Sequence, residues 1–69
     1  MIKLDLLDYG IYCEGTHIAD VDDLDHAKFF ANAMAINKEA DTMIVDNYTG
    51  EIITQFVVKQ HIEIVEVEP

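Results

Sequence analysis

One helical stretch lies between two blocks of β-patterned chain, and that order restricts the folds open to 69 residues more than any single motif does. The segment Asp20-Val21-Asp22-Asp23 reads as a helix start. An aspartate at the N-cap accepts orphan backbone N–H groups, and further acids in the first turn complement the helix dipole. The helix is expected from Leu24 to about Lys38, with Ala27, Phe30, Ala31 and Met34 at the three/four spacing of one buried face. Phe29, Ala33 and Ile36 make a second, narrower stripe on another side. Its burial is expected, because apolar residues at helical spacing usually report a core and alanines permit close approach to a sheet. The other reading makes Phe29, Ala33 and Ile36 self-association residues.

Before the helix, Ile2, Leu4 and Leu6 alternate with Lys3 and Asp5, the period-two mark of a half-buried strand. Asp8-Tyr9-Gly10 interrupts it as a turn or bulge, and Ile11-Tyr12-Cys13 resumes a β-like run. Glu14-Gly15 then suggests a tight hairpin into Thr16-His17-Ile18-Ala19, with glycine supplying the positive φ. After the helix, a strand at Thr42-Met43-Ile44-Val45-Asp46 leads through the turn Asn47-Tyr48-Thr49-Gly50 to a returning strand from Glu51 to Val58. Lys59-Gln60-His61 suggests a bend or bulge. The alternation then changes phase between Ile62-Glu63-Ile64 and Val65-Glu66-Val67-Glu68, which suggests a bulge or an edge strand.

The economical solution is an α+β two-layer sandwich: a single antiparallel sheet of about four to six strands, one helix on one face, in the order hairpin, helix, hairpin and terminal strand. Residues 1–69 are expected to form a single domain. Apolar residues make up 51% of the chain, too many for a disordered acidic tail. The N-terminus lacks the basic start and continuous apolar stretch of a signal peptide, and no apolar run approaches the roughly 20 residues of a membrane span. One cysteine, Cys13, allows no intrachain disulfide and fits a reducing compartment. These features suggest a soluble, cytoplasmic polypeptide.

Charge narrows the function classes. Fourteen acids face four lysines (Lys3, Lys28, Lys38 and Lys59) and no arginine, leaving a net charge of −10. A nucleic-acid binder shows a basic patch or stripe, and arginine leads phosphate recognition. Direct binding to nucleic acid or an anionic membrane is thus disfavoured, and cationic protein surfaces are the natural partners. A solubilising surface typically needs a net charge of only about 2–8 in magnitude. The excess asks for a further explanation.

Groupings for chemistry are sparse. Asp20, Asp22, Asp23 and Asp25 precede His26, but an EF-hand loop counted from Asp20 would need glycine at Asp25 and an acid at Ala31. The cluster is better explained by capping, and no metal or cofactor is expected. Cys13 and His17 straddle the first turn with no orienting group apparent, so a nucleophilic pair is not expected. His26 and His61 have no partners at ligand spacing. No catalytic residues are assigned.

Two rows of acid remain. One is Asp20, Asp22, Asp23 and Asp25. The other is Glu63, Glu66 and Glu68 on the last strand, where carboxylates two apart share a face and repeat at about 6.6 Å. Tyr12, Tyr48 and Phe29 are candidate apolar anchors beside them. In length, acid excess, hairpin–helix–hairpin order and the framework from Asp20-Val21-Asp22-Asp23 to Asn47-Tyr48-Thr49-Gly50, the whole chain resembles the small acidic inhibitors encoded by bacteriophages and mobile elements, the anti-CRISPR and DNA-mimic proteins. That resemblance implies a non-enzymatic inhibitor in a bacterial cytoplasm that occludes the basic surface of a host nucleic-acid-binding protein. The alternative is a small homodimeric module whose acids only solubilise it.

Overall fold

In a computed structural model, residues 7–59 and 63–69 are described. Five strands and a helix follow one another as β1 (Tyr9–Cys13), β2 (Thr16–Val21), α1 (Leu24–Lys38), β3 (Thr42–Asp46), β4 (Ile52–Lys59) and β5 (Glu63–Val67). The strands form one sheet in the order β2-β1-β3-β4-β5, with every neighbouring pair antiparallel. This is the expected α+β sandwich with its single helix on one face. The strand expected over residues 2–6 and the bend at Gln60 and His61 lie outside the described residues.

Local chemistry sets most boundaries. Glu14 and Gly15 form a two-residue loop in which both φ angles are positive, 49° and 84°. That backbone matches the right-handed twist of the strands it joins. Asp23 caps the helix, its side chain accepting from the His26 N–H at 3.1 Å. At the other end Glu39 adopts the left-handed conformation, and the N–H groups of Glu39 and Ala40 both close on the Ala35 carbonyl. The second hairpin is held by Asp46, whose Oδ1 accepts from the N–H groups of Tyr48 and Thr49, while Gly50 returns its N–H to the Asp46 carbonyl at 2.7 Å.

Several boundaries differ from the sequence reading. Tyr9 and Gly10 belong to β1 rather than to a turn. A Cβ at Gly10 would stand 2.7 Å from Asn47 Oδ1, so a larger residue there would have to displace the Asn47 side chain. In the returning strand, Glu51 lies outside β4 and Lys59 within it. No bulge interrupts β5, which pairs with β4 in unbroken register from Lys59↔Glu63 to Gln55↔Val67. Its change of phase arises because both faces carry apolar side chains: Ile64 packs toward the helix, and Val65 and Val67 lie on the opposite face. The irregularities fall elsewhere, at Ile18 in β2 and Ile53 in β4, each an extra residue against its partner strand.

The core is thin. Ala27, Ala31 and Ala35 are fully buried at four-residue spacing against Ile11, Ile44 and Phe56, with Leu24, Phe30, Val58 and Ile64 packed around them. With only methyl groups along its contact ridge, the helix approaches the sheet closely. The buried Thr42 hydroxyl donates to the Ala31 carbonyl at 2.9 Å, joining the two layers. Phe29 precedes Ala31 by two residues, about 200° around the helix. The expected burial of the second stripe therefore fails: Phe29 is 75% exposed and Ile36 55% exposed, with Ala33 half-buried.

Overpacking the ridge by Ala31→Leu is expected to lower stability by about 1–3 kcal/mol. Ile36→Lys on the outer side should change it by no more than about 0.5 kcal/mol. Urea denaturation of both variants checks this, and equal losses would contradict the assigned helix faces.

Candidate protein-interaction surface

The helix covers one face of the sheet, and among the described residues no element packs on the other. Alternation along the strands opposite Ile11, Ile44 and Phe56 assigns it Tyr12, Met43, Val45, Gln55, Val57, Val65 and Val67. Cross-strand pairing sets His17, Tyr12, Met43, Gln55 and Val67 side by side in one row. The row contains no carboxylate.

At the β2 side of this face, Asp20, His17 and Asn47 form a polar cluster over Gly10. Asp20 Oδ1 accepts from His17 Nε2 and from Asn47 Nδ2, each at 2.9 Å. A carboxylate has no proton to give, so His17 Nε2 carries the hydrogen. The Asn47 amide also donates to the Leu7 carbonyl at 2.7 Å, and the Tyr12 ring lies 5.1 Å from that of His17, tilted by 59°. The His17 hydrogen bond first, then that of Asn47, holds the Asp20 carboxyl below its ordinary 3.8, against a smaller opposing effect of burial. Asp20 is thus a structural acceptor that ties β2 to the turn after β3.

The other expected acids separate in the same way. Asp23 is spent on the helix cap, while Asp22 and Asp25 are exposed. Glu66 on β5 and Glu68 just beyond it fall on the helix side, where Lys28 Nζ reaches them at 3.1 and 3.7 Å. Thr54 Oγ1 supports the same Glu66 oxygen at 3.1 Å. Glu66 foremost, with Glu68 and Asp25 adding to it, raises the Lys28 pKa above its usual 10.5. Glu63 lies on the opposite face, in register with Lys59. The last strand therefore carries no three-carboxylate ladder: two members are bridged by a lysine and the third points the other way. Tyr48 is 65% exposed at the hairpin turn, and Tyr12 is half-buried on the open face.

Sequence reasoning missed a second acidic grouping. Beside Tyr12 the open face holds a shallow depression of about 110 Å3, lined by Tyr12, Glu14, Gly15, Asp41, Met43 and Gln55 among others. Asp41 is fixed twice. Its carbonyl accepts from the Glu14 N–H at 2.9 Å, continuing the β1–β3 ladder past its last pair, and its Oδ1 accepts from the Val58 N–H at 3.0 Å. The tight turn at Glu14-Gly15 was legible, but its proximity to Asp41 depends on β1 pairing with β3 across the helical crossover, which no local pattern reveals.

Cys13 lies on the helix side of β1, and His17 stands beside Tyr12 on the open side. The two do not form a pair. Among the described residues no group of three or more His, Cys, Asp and Glu side chains is arranged to hold a metal ion, and no helix is long and apolar enough to cross a membrane. Comparison with protein-family models, curated proteins and solved structures returns no match.

A carboxyl whose folded pKa is depressed adds stability above its unfolded value, and that stability is lost as pH falls through the lower folded value. Asp20→Asn is therefore expected to be less stable than the parent chain by a constant margin above about pH 5, with the margin closing below about pH 4. Urea midpoints across this range measure it. A margin independent of pH would mean that the Asp20 charge contributes nothing.

Proposed function

We propose that this chain is a non-enzymatic acidic interaction protein, an inhibitor of the anti-CRISPR or DNA-mimic kind that occludes a basic, nucleic-acid-binding surface of a bacterial defence or DNA/RNA-processing protein. The observation that carries this reading is the pairing of exposed acid with exposed apolar anchors. Asp22 and Asp25 lie at the start of a helix whose outer side presents Phe29 and Ile36. The lysine nearest in sequence, Lys28, is engaged by Glu66 and Glu68 on the sheet side. Acid of this kind steers encounter with a cationic surface, and an aromatic anchor supplies the short-range energy.

The separation of Cys13 from His17 also favours a binding role over nucleophilic catalysis. Asp22, Asp25 and Glu63 keep exposed positions, while Asp20, Asp23, Glu66 and Glu68 are committed to the fold.

The exposure of Phe29 and Ile36 also favours a second reading, a homodimer built on that stripe. Antiparallel packing of two such helices about the midpoint of Phe29 and Ile36 would bring Asp25 of one copy near Glu39 of the other. That like-charge contact opposes the dimer.

Affinity capture from a bacterial lysate, with the tagged chain and an untagged copy both present, tests the two readings together. The first expects a retained nucleic-acid-binding protein that is released by duplex DNA or rising salt, and that is lost when Asp22, Asp25 and Glu63 are replaced by Asn, Asn and Gln. Retention that survives both the competitor and these substitutions would contradict it. Retention of the untagged copy alone would support the dimer.

A further inference from the structure

We infer that the depression beside Tyr12 is a receptor site for an arginine side chain projecting from the protein partner, with Glu14 and Asp41 as its anionic walls and the Tyr12 ring as its stacking surface. This deepens the function proposed above and rests on it for the identity of the partner as a basic protein.

The site is a concavity with mixed chemistry rather than a patch of acid. Met43 and Tyr12 supply apolar surface, Gln55 supplies an amide, and two carboxylates stand at the rim, within about 110 Å3 of open volume. Each wall is held by the sheet. The Glu14 N–H is bonded to the Asp41 carbonyl, and Asp41 Oδ1 is bonded to the Val58 N–H, which fixes the direction of the carboxylate and leaves Oδ2 outside that bond. Tyr12 is braced by the His17 ring on its β2 side and meets Met43 on its β3 side, toward the depression. Among the described residues, no lysine or histidine forms an ion pair with Glu14 or Asp41.

The chemistry favours a guanidinium over an ammonium. A guanidinium is planar and weakly hydrated, stacks on an aromatic face, and presents a fork of donors that two separated carboxylates and an amide oxygen satisfy together. A lysine ammonium is a compact charge that gives up its hydration reluctantly and gains less from the ring. The occupant is not a second copy of this chain, because the chain contains no arginine. Nor is it a nucleic acid, whose phosphates the two carboxylates would repel. The uncharged row running away from the depression through Met43, Gln55 and Val67 offers the surrounding partner surface a contact free of buried carboxylates.

The test uses the whole chain, labelled with nitrogen-15, and three small probes at constant ionic strength: the N-acetyl methylamides of arginine, lysine and norleucine. The arginine probe is expected to give saturable shifts confined to Glu14, Gly15, Met43, Gln55 and their neighbours. The lysine probe should bind several-fold more weakly, and the norleucine probe should produce no saturable change. Glu14→Gln and Asp41→Asn each keep the backbone bonds described here and should weaken the arginine probe by about two- to fivefold. Tyr12→Leu should erase the preference for arginine over lysine.

Shifts that never saturate, that centre on Asp22 and Asp25, or that are equal for the arginine and lysine probes would overturn the assignment. Because these probes are free amino-acid derivatives, failure here leaves the DNA-competed capture intact, and failure of that capture leaves the probe result standing.

Discussion

The close approach of one alanine ridge to one face of the sheet governs the rest of this structure. Ala27, Ala31 and Ala35 let the helix settle onto Ile11, Ile44 and Phe56, and the Thr42 hydroxyl reaches the Ala31 carbonyl across the contact. Two surfaces follow from that choice. The outer side of the helix must carry whatever lies opposite the alanines, which is Phe29 and Ile36. Among the described residues no second layer packs on the far face of the sheet, which presents Tyr12, Met43, Val57, Val65 and Val67. A domain of this size buries a smaller fraction of its surface than a larger one does, so its apolar content spills onto surfaces that a partner can use.

The acids divide between the fold and the solvent along the same lines. Asp23 and Asp46 satisfy backbone donors at a helix start and a hairpin, Asp20 anchors His17 and Asn47, and Glu66 with Glu68 holds Lys28 over the sheet. Their charge is spent on architecture. Others, Asp22, Asp25 and Glu14 among them, stay exposed to solvent. Glu14 occupies a left-handed turn position with φ of 49°, where asparagine or glycine would fit with less strain.

Much of the fold was legible because its signals are local. The limits of α1 followed from the Asp23 cap and the run of helix-favouring residues to Lys38, and the first hairpin from Glu14-Gly15. What escaped was decided at long range. Gly10 looked like a turn glycine, but its bare backbone makes room for Asn47, 37 positions later in the chain, to pass over β1. The helix stripe of Phe29 and Ile36 looked buried because periodicity alone cannot tell which of two apolar faces meets the sheet. Asp41 lies just beyond the expected end of the helix, and its double role appears only once β1, β3 and β4 lie side by side. The phase change in β5 was visible in the sequence, and of its two expected causes the edge position holds, with apolar side chains on both faces, while the bulge does not.

Fourteen acids against four lysines leave the folded chain with carboxylates that its own cations cannot all pair, so its surface repels itself. Urea denaturation between about 10 mM and about 1 M sodium chloride, across which the screening length falls from about 30 Å to about 3 Å, tests that most directly. The unfolding midpoint is expected to rise with salt while the denaturant slope stays constant. A midpoint that is unchanged or falls would mean that the acids are already paired within the fold, and the argument for a basic partner would lose its physical ground.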